Sequence, residues 1–323
     1  MPTPASAVRR HDPAHARGQA EVAPAPVAEP ALVTIGLTKR FRGTSALDGV
    51  DLEVPTGVVF GYLGPNGAGK TTTIRILAGL ARPTAGTARV FGHDVVSDRE
   101  AAQRELGYLP GDFVGYPELT GREHLTYLAR VRGGVSWRRV RRLAERLGLD
   151  LDKRLGAMSH GNRQKVGLVQ AFMHEPRLLV LDEPTAGLDP LVRREFLGLV
   201  REARQDGGTV FLSSHVLSEV EAVADRVAIL GSGRVLVTGS VEELRRRARR
   251  SIDLVFVGPP PLAALRDAAG VHDLRSTGRT AHLTLEGSAA ALMSAAAPYG
   301  IENVVSHEPD LEDVFLDLYA GRP

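Results

Sequence analysis

Apolar and polar positions change their rhythm several times along the chain. Residues 1–30 are rich in Ala, Pro and His and show no apolar periodicity, so they bury too little surface to offset the entropy of ordering. They are read as a disordered leader. From Leu32 onward Val33, Ile35 and Leu37 alternate, as do Leu52 and Val54, and residues 58–63 form a continuous apolar run of the kind carried by a strand buried on both faces. Helical spacing follows. Residues 97–104, 122–132, 136–147 and 162–174 read as helices, the third with Ser136 placed to cap it, and a mostly helical insert spans about 112–170. Beyond it, short apolar runs at 178–181, 210–212 and 227–230 are separated by predicted helices at 191–204 and 218–223. Strand alternating with helix in this way predicts a parallel sheet covered by helices.

Residues 242–250, EELRRRARR, close that region and read as a solvated helix face, with contact to anionic lipid or a partner as the alternative. A smaller pattern starts at 251. Ile252, Leu254 and Phe256 alternate, a Gly-Pro-Pro-Pro break follows, and strand-like stretches recur at 282–285 and 301–305. The expected order is strand, helix, two strands, helix, strand, closing with an amphipathic helix at 311–319 whose Leu311, Val314, Phe315 and Leu318 share a face. The expected domains are therefore 31–250 and an accessory 251–323.

Length and charge narrow the picture. A chain of 323 residues has room for two such domains. With 40 basic and 38 acidic residues its charge is nearly balanced, so no nucleic-acid partner is expected. Cysteine is absent and the ten histidines lack paired zinc-ligand spacing, which excludes disulfides and thiolate metal sites. No apolar stretch approaches the roughly 18 to 20 residues of a spanning helix, so any membrane role falls to a partner.

The chemistry begins at residues 64–72, GPNGAGKTT, directly after the buried strand run and before Ile74, Ile76 and Leu77 at helical spacing. Gly64, Pro65, Asn66, Gly67, Ala68 and Gly69 allow the turns that bring successive amide hydrogens onto a polyphosphate at a helix start. Lys70 is placed for the terminal phosphates and Thr71, followed by Thr72, for magnesium. The plainer reading, a glycine-rich turn, does not explain the strand before and the helix after. Leu178 to Leu181 run into Asp182 and Glu183, a strand end where magnesium is to be held. Asp182 suits the metal. Glu183, pointing elsewhere, suits polarisation of a water for in-line attack on the terminal phosphate. A lone histidine is more often structural, but His215 follows the strand run Val210, Phe211, Leu212, at the sheet edge where ligands collect.

Over about 32–250 these residues resemble the nucleotide-binding subunits of ATP-binding cassette (ABC) transporters. The diagnostic stretch is Met158, Ser159, His160, Gly161, Asn162, Arg163 and Gln164, which looks like the family signature LSGGQ with Met, His and Asn at its first, third and fifth places. The resemblance implies a P-loop NTPase core, mostly parallel with an antiparallel N-terminal β part, and ATP with Mg2+ as ligands. It also implies a head-to-tail homodimer in which Ser159 and Gly161 of one copy cap the phosphate held by the other. Phe41 matches the aromatic that stacks on adenine, Asp189 the loop coupling the two sites, and His215 the switch histidine. One departure stands out: where the family commonly has glutamine, this chain has Gly111 followed by Asp112. Asp112 substitutes on the metal side, or the loop serves mainly as the joint to the membrane subunit.

The tail from Pro309 through Asp310, Leu311, Glu312, Asp313, Val314 and Phe315 to Leu316 resembles that of ATPase subunits of bacterial drug and antibiotic exporters whose permease is a separate chain. Expected from this is an ATPase at the cytoplasmic face of the membrane that drives efflux of a drug, an antibiotic, another small hydrophobic compound or a lipid. Two other classes share these motifs, a soluble ABC ATPase on ribosomes or nucleic acid and a nucleotide-binding regulator with little turnover. The first resembles tandem cassettes or cassettes split by coiled coils, against one phosphate loop and one signature here.

Overall fold

The computed structural model describes residues 29–247, 250–307 and 310–320. Of the expected leader only Glu29 and Pro30 fall within these residues, as the chain enters β1 (Leu32–Phe41). β2 (Thr44–Val54) pairs antiparallel with it, and β3 (Val59–Leu63) leads into the phosphate-loop segment and α1 (Lys70–Leu77). β4 (Ala85–Val90), β5 (His93–Asp94), α2 (Arg99–Arg104) and β6 (Leu106–Leu109) follow. β1, β2, β4 and β5 make one antiparallel sheet in the order β2-β1-β4-β5. β4 and β5 lie outside the predicted strands, because only Ala88 and Val90 of β4 are buried and β5 is two residues long.

The helical insert is α3 (Gly121–Arg132), α4 (Trp137–Arg146) and α5 (His160–Phe172). α3 starts on a capping box in which Thr120 accepts from the Glu123 amide and Glu123 reaches back to the Thr120 amide. Ser136 occupies the cap position of α4, but its side chain takes no capping hydrogen bond. α5 begins two residues earlier than its apolar spacing suggests, because Ser159 accepts from the Asn162 amide and so caps it.

β7 (Leu178–Asp182), α6 (Pro190–Gln205), β8 (Thr209–Ser214), α7 (Leu217–Glu221), β9 (Arg226–Gly231), β10 (Arg234–Ser240) and α8 (Val241–Arg247) complete the first unit. The main sheet runs β10-β9-β3-β8-β7-β6, parallel except at β10. Successive residues of a strand face opposite sides. Val59 and Leu63 accordingly enter the core shared with the helical insert, while Phe60 and Tyr62 enter the core shared with α1 and the antiparallel sheet. Burial on both faces is why these strands read as unbroken apolar runs rather than alternating ones. The expected α/β architecture with a helical insert is the one observed.

β11 (Arg250–Phe256), α9 (Leu262–Arg266), β12 (Val271–Thr277), β13 (Thr280–Leu285), α10 (Ala290–Ala296) and β14 (Ile301–His307) follow the expected order and form a separate antiparallel sheet, β12-β13-β11-β14. Ile252, Leu254 and Phe256 bury against Leu265 and Leu292 of the two helices. α11 (Leu311–Ala320) does not stay with this sheet. Its Leu311 and Val314 join the core that holds Val220 of α7 and Leu244 of α8, and the Tyr319 hydroxyl donates to the Leu230 carbonyl. The sheet face of the second unit is already filled by α9 and α10, so the apolar stripe of α11 is buried back against the first. In α8, Arg245 lies 3.0 Å from Glu221, so part of the arginine run is paired rather than solvated. Residues 248, 249 and 309 of the stretches singled out above lie outside the described residues.

His174 closes the insert against the sheet, its Nε2 within 3.1 Å of the Leu106 carbonyl. Burial, aided by Arg132, depresses its pKa to about 4. The unfolded chain binds this proton near the ordinary value of about 6.5, so between those two values it binds more protons than the folded one. Stability should therefore be complete above the unfolded value and fall as pH drops toward 4. Urea unfolding at pH 7 and pH 5 tests this, with the gap between the two midpoints expected to shrink in His174→Asn.

Candidate active site

The carboxyl ends of the parallel strands open on a cleft of about 670 Å³. Three neighbouring strands supply it: the loop at 64–69 follows β3, Asp182 and Glu183 end β7, and His215 follows β8. Pro65, Asn66, Gly67, Gly69, Lys70, Thr71 and Thr72 line the cleft, whereas Gly64 and Ala68 form the inner side of the loop. Ala68 is buried and its carbonyl accepts from the Gly233 amide. Gly69 is demanded twice over. Its φ of 112° is unfavourable for any side-chain-bearing residue, and a Cβ there would sit 2.6 Å from Leu47 Cδ2 and 2.7 Å from the Ala46 carbonyl oxygen.

Lys70, only 6% exposed, donates to the Gly64 carbonyl at 2.7 Å and stands 3.4 Å from Glu183 Oε1. The other oxygen of Glu183, Oε2, lies 2.6 Å from His215 Nδ1 and accepts from the His215 amide at 3.3 Å. One carboxylate thus joins both basic groups. Glu183 reaches them because its backbone turns left-handed, with φ 46°, a conformation that costs a non-glycine residue about 1–3 kcal/mol and tends to persist at functional sites. Its amide is held by the hydroxyl and carbonyl of Ser213 at 3.1 and 3.2 Å.

Asp182 is buried beside it. Ser213 donates to its Oδ1 at 2.6 Å, and its Oδ2 faces Gly111, where a Cβ would stand 3.4 Å away. Burial, with help from the charge of Asp182, pushes the Tyr108 hydroxyl up to about 12, so it stays protonated in the cleft wall. Asp182 and the Thr71 hydroxyl are hard oxygen donors on one cleft, the set that magnesium takes when it shares its remaining ligands with substrate phosphates and water. Among the described residues no cluster of three His, Cys, Asp or Glu groups makes a protein-only metal cage.

Phe41 lines the far end, half exposed, with the Lys39 ammonium 4.9 Å above its ring. Gly111 and Asp112 both line the cleft beside Asp182. Ser159, Gly161 and Asp189 lie outside this cleft. Ser159 and Gly161 sit at the start of α5, where a Cβ on Gly161 would come 2.4 Å from the Gly187 carbonyl oxygen. Asp189 caps α6, accepting from the Val192 and Leu191 amides; the Val192 amide first, then the Lys165 charge and the Leu191 amide, hold its carboxyl below the usual carboxylate range. Ser213, Arg75 and Tyr108 were missed. Ser213 had a signal, a polar residue ending an apolar run two places before His215; Arg75 and Tyr108 come into view only once α1 and β6 lie side by side with the loop.

The ABC transporter family profile matches residues 47–186. The daunorubicin/doxorubicin resistance ATP-binding protein DrrA of Streptomyces peucetius is 45% identical over 222 residues, covering 67% of this chain and 67% of that protein. The daunorubicin resistance ATP-binding protein DrrA3 of Streptomyces coeruleorubidus is 37% identical over 308 residues, covering 90% of this chain and 96% of its own length. A solved ATP-binding subunit of an ABC transporter superposes with a TM-score of 0.62 at 34% identity, over 67% of this chain and 92% of that one.

Since both its backbone and its surroundings exclude a side chain, Gly69→Ala should fold yet lose more than about tenfold in nucleotide affinity, because misaligned loop amides forfeit charge-assisted hydrogen bonds. Titration with a fluorescent ATP analogue measures this, and wild-type affinity would remove the loop from the site.

Proposed function

This chain belongs to the ABC transporter family of ATP-binding subunits, and from that premise we propose that it powers an exporter whose membrane-spanning part is a separate permease. The observation that carries the reading is the convergence of Lys70, Asp182, Glu183 and His215 on one cleft beside the phosphate loop. The loop amides and Lys70 hold the phosphates of ATP, and the Phe41 ring takes the adenine. A polyphosphate competes with the Gly64 carbonyl and Glu183 for the Lys70 ammonium, so binding frees one oxygen of Glu183 while His215 keeps the other oriented. Glu183 then accepts the proton of the attacking water. Thr71 and Asp182 would hold magnesium, which would neutralise charge on the phosphate oxygens. Asp112, on the cleft one residue after the Gly111 that stands where glutamine is usual in the family, supplies a second acid on the metal side.

Ser159 and Gly161 lie away from their own cleft, at the amide end of α5, which supports a head-to-tail homodimer in which each copy completes the other's site. Bound ATP favours the closed pair, hydrolysis removes that preference, and the permease converts opening and closing into alternating access. No described helix is long and apolar enough to cross a membrane. Attachment at the cytoplasmic face through the permease follows from the role, and the names of the DrrA relatives support a drug, antibiotic or other small hydrophobic cargo.

Replacing the proposed base tests this reading. Glu183→Gln is expected to cut ATP turnover by about 10²–10⁴-fold while nucleotide is retained and an ATP-stabilised dimer accumulates on size exclusion. Turnover at the wild-type rate would rule Glu183 out as the base.

A further inference from the structure

One buried carboxylate has no part in the chemistry above. Glu219 of α7 is 9% exposed; its Oε2 accepts from the Thr185 hydroxyl at 2.6 Å and its Oε1 lies 3.0 Å from Arg193 Nε. Thr185, also buried, comes two residues after Glu183, and α7 begins two residues after His215. Arg193, in the first turn of α6, also donates to the Leu188 carbonyl at 3.4 Å. A single side chain thereby fastens the helix behind His215, the loop 184–189 behind Glu183 and the helix that Asp189 caps. On its other side the same loop touches the start of α5, where the Gly187 backbone leaves no room for a Cβ at Gly161 and lies against the His160 ring.

A buried carboxylate is costly unless paired and hydrogen-bonded, and a purely structural fastening would be served as well by apolar packing. What the charge adds is direction: the loop can be seated only where Thr185 and Arg193 both meet Glu219. We propose that Glu219 is a positioning residue that couples the Glu183–His215 pair to the loop 184–189 and, through Gly187, to the Ser159–Gly161 end of α5. Each chain then transmits the state of its own cleft to the segment that serves the second copy. The coupling rests on the two-copy reading given above.

Two variants of the full chain test it. Glu219→Gln keeps the side-chain volume but removes the charge facing Arg193, and Thr185→Val removes the hydroxyl while keeping the branched shape. Each is expected to lower kcat for ATP by about tenfold, with KM, affinity for a fluorescent ATP analogue and Tm close to those of the unaltered chain. The double variant should be no slower than the slower single one, since both break one linkage, and Thr185→Ser should restore the rate. Unchanged kcat, losses that multiply in the double variant, or nucleotide affinity and Tm falling in step with kcat each overturn the coupling. An unaltered chain without turnover defeats the reading of the cleft and the coupling with it, whereas normal turnover with unaffected variants defeats the coupling alone.

Discussion

The carboxylate of Glu183 holds the cleft together, one oxygen toward Lys70 and the other toward His215. Lys70 opens α1 directly after the loop that follows β3, and His215 lies in the turn after β8, so a side chain from the end of a third strand joins two segments far apart in sequence. It does so only because β3, β8 and β7 are adjacent and parallel, which brings their carboxyl ends to one edge. The left-handed backbone at Glu183 and the double hold of Ser213 on its amide aim the carboxylate inward, while Asp182, one residue earlier, faces Gly111. Two neighbouring acids thereby acquire different partners and different chemistry.

That edge is kept in place by burial. The parallel strands have both faces covered, one by the helical insert and α6, the other by α1 and the antiparallel sheet. Apolar area removed from water on both sides contributes roughly 25 cal/mol per Å², which gives the sheet the rigidity that a loop-borne site needs. The insert is seated as closely as the strands: Gly167 of α5 leaves space for Leu109 and Phe113. The return of α11 to this core means that the second unit is anchored at both ends, by the strand leaving α8 and by a helix packed on α7.

Much of the fold and the cleft was legible because it depends on local rules. The run at 58–63, the loop at 64–72 and the acids at 182–183 each carry their meaning in consecutive residues, and His215 follows its strand directly. β5 and β10, at sheet edges, need only a pairing partner and show little burial, and β4 buries just Ala88 and Val90, so none of the three was legible. Nor was the destination of α11. Its stripe of Leu311, Val314, Phe315 and Leu318 predicts a buried face but is equally compatible with any apolar surface in reach.

The sequence alone determined the alternation of strand and helix, the phosphate loop and the order of the acidic and histidine segments, because periodicity and turn chemistry act between near neighbours. Only the tertiary structure decided that Glu183 lies between Lys70 and His215, that Ser213 holds both Asp182 and Glu183, and that Glu219 meets both Thr185 and Arg193. Those relations depend on which strands lie side by side and on how a backbone turns at a strand's end. Both are settled by the packing of the whole chain, beyond the reach of any short run of residues.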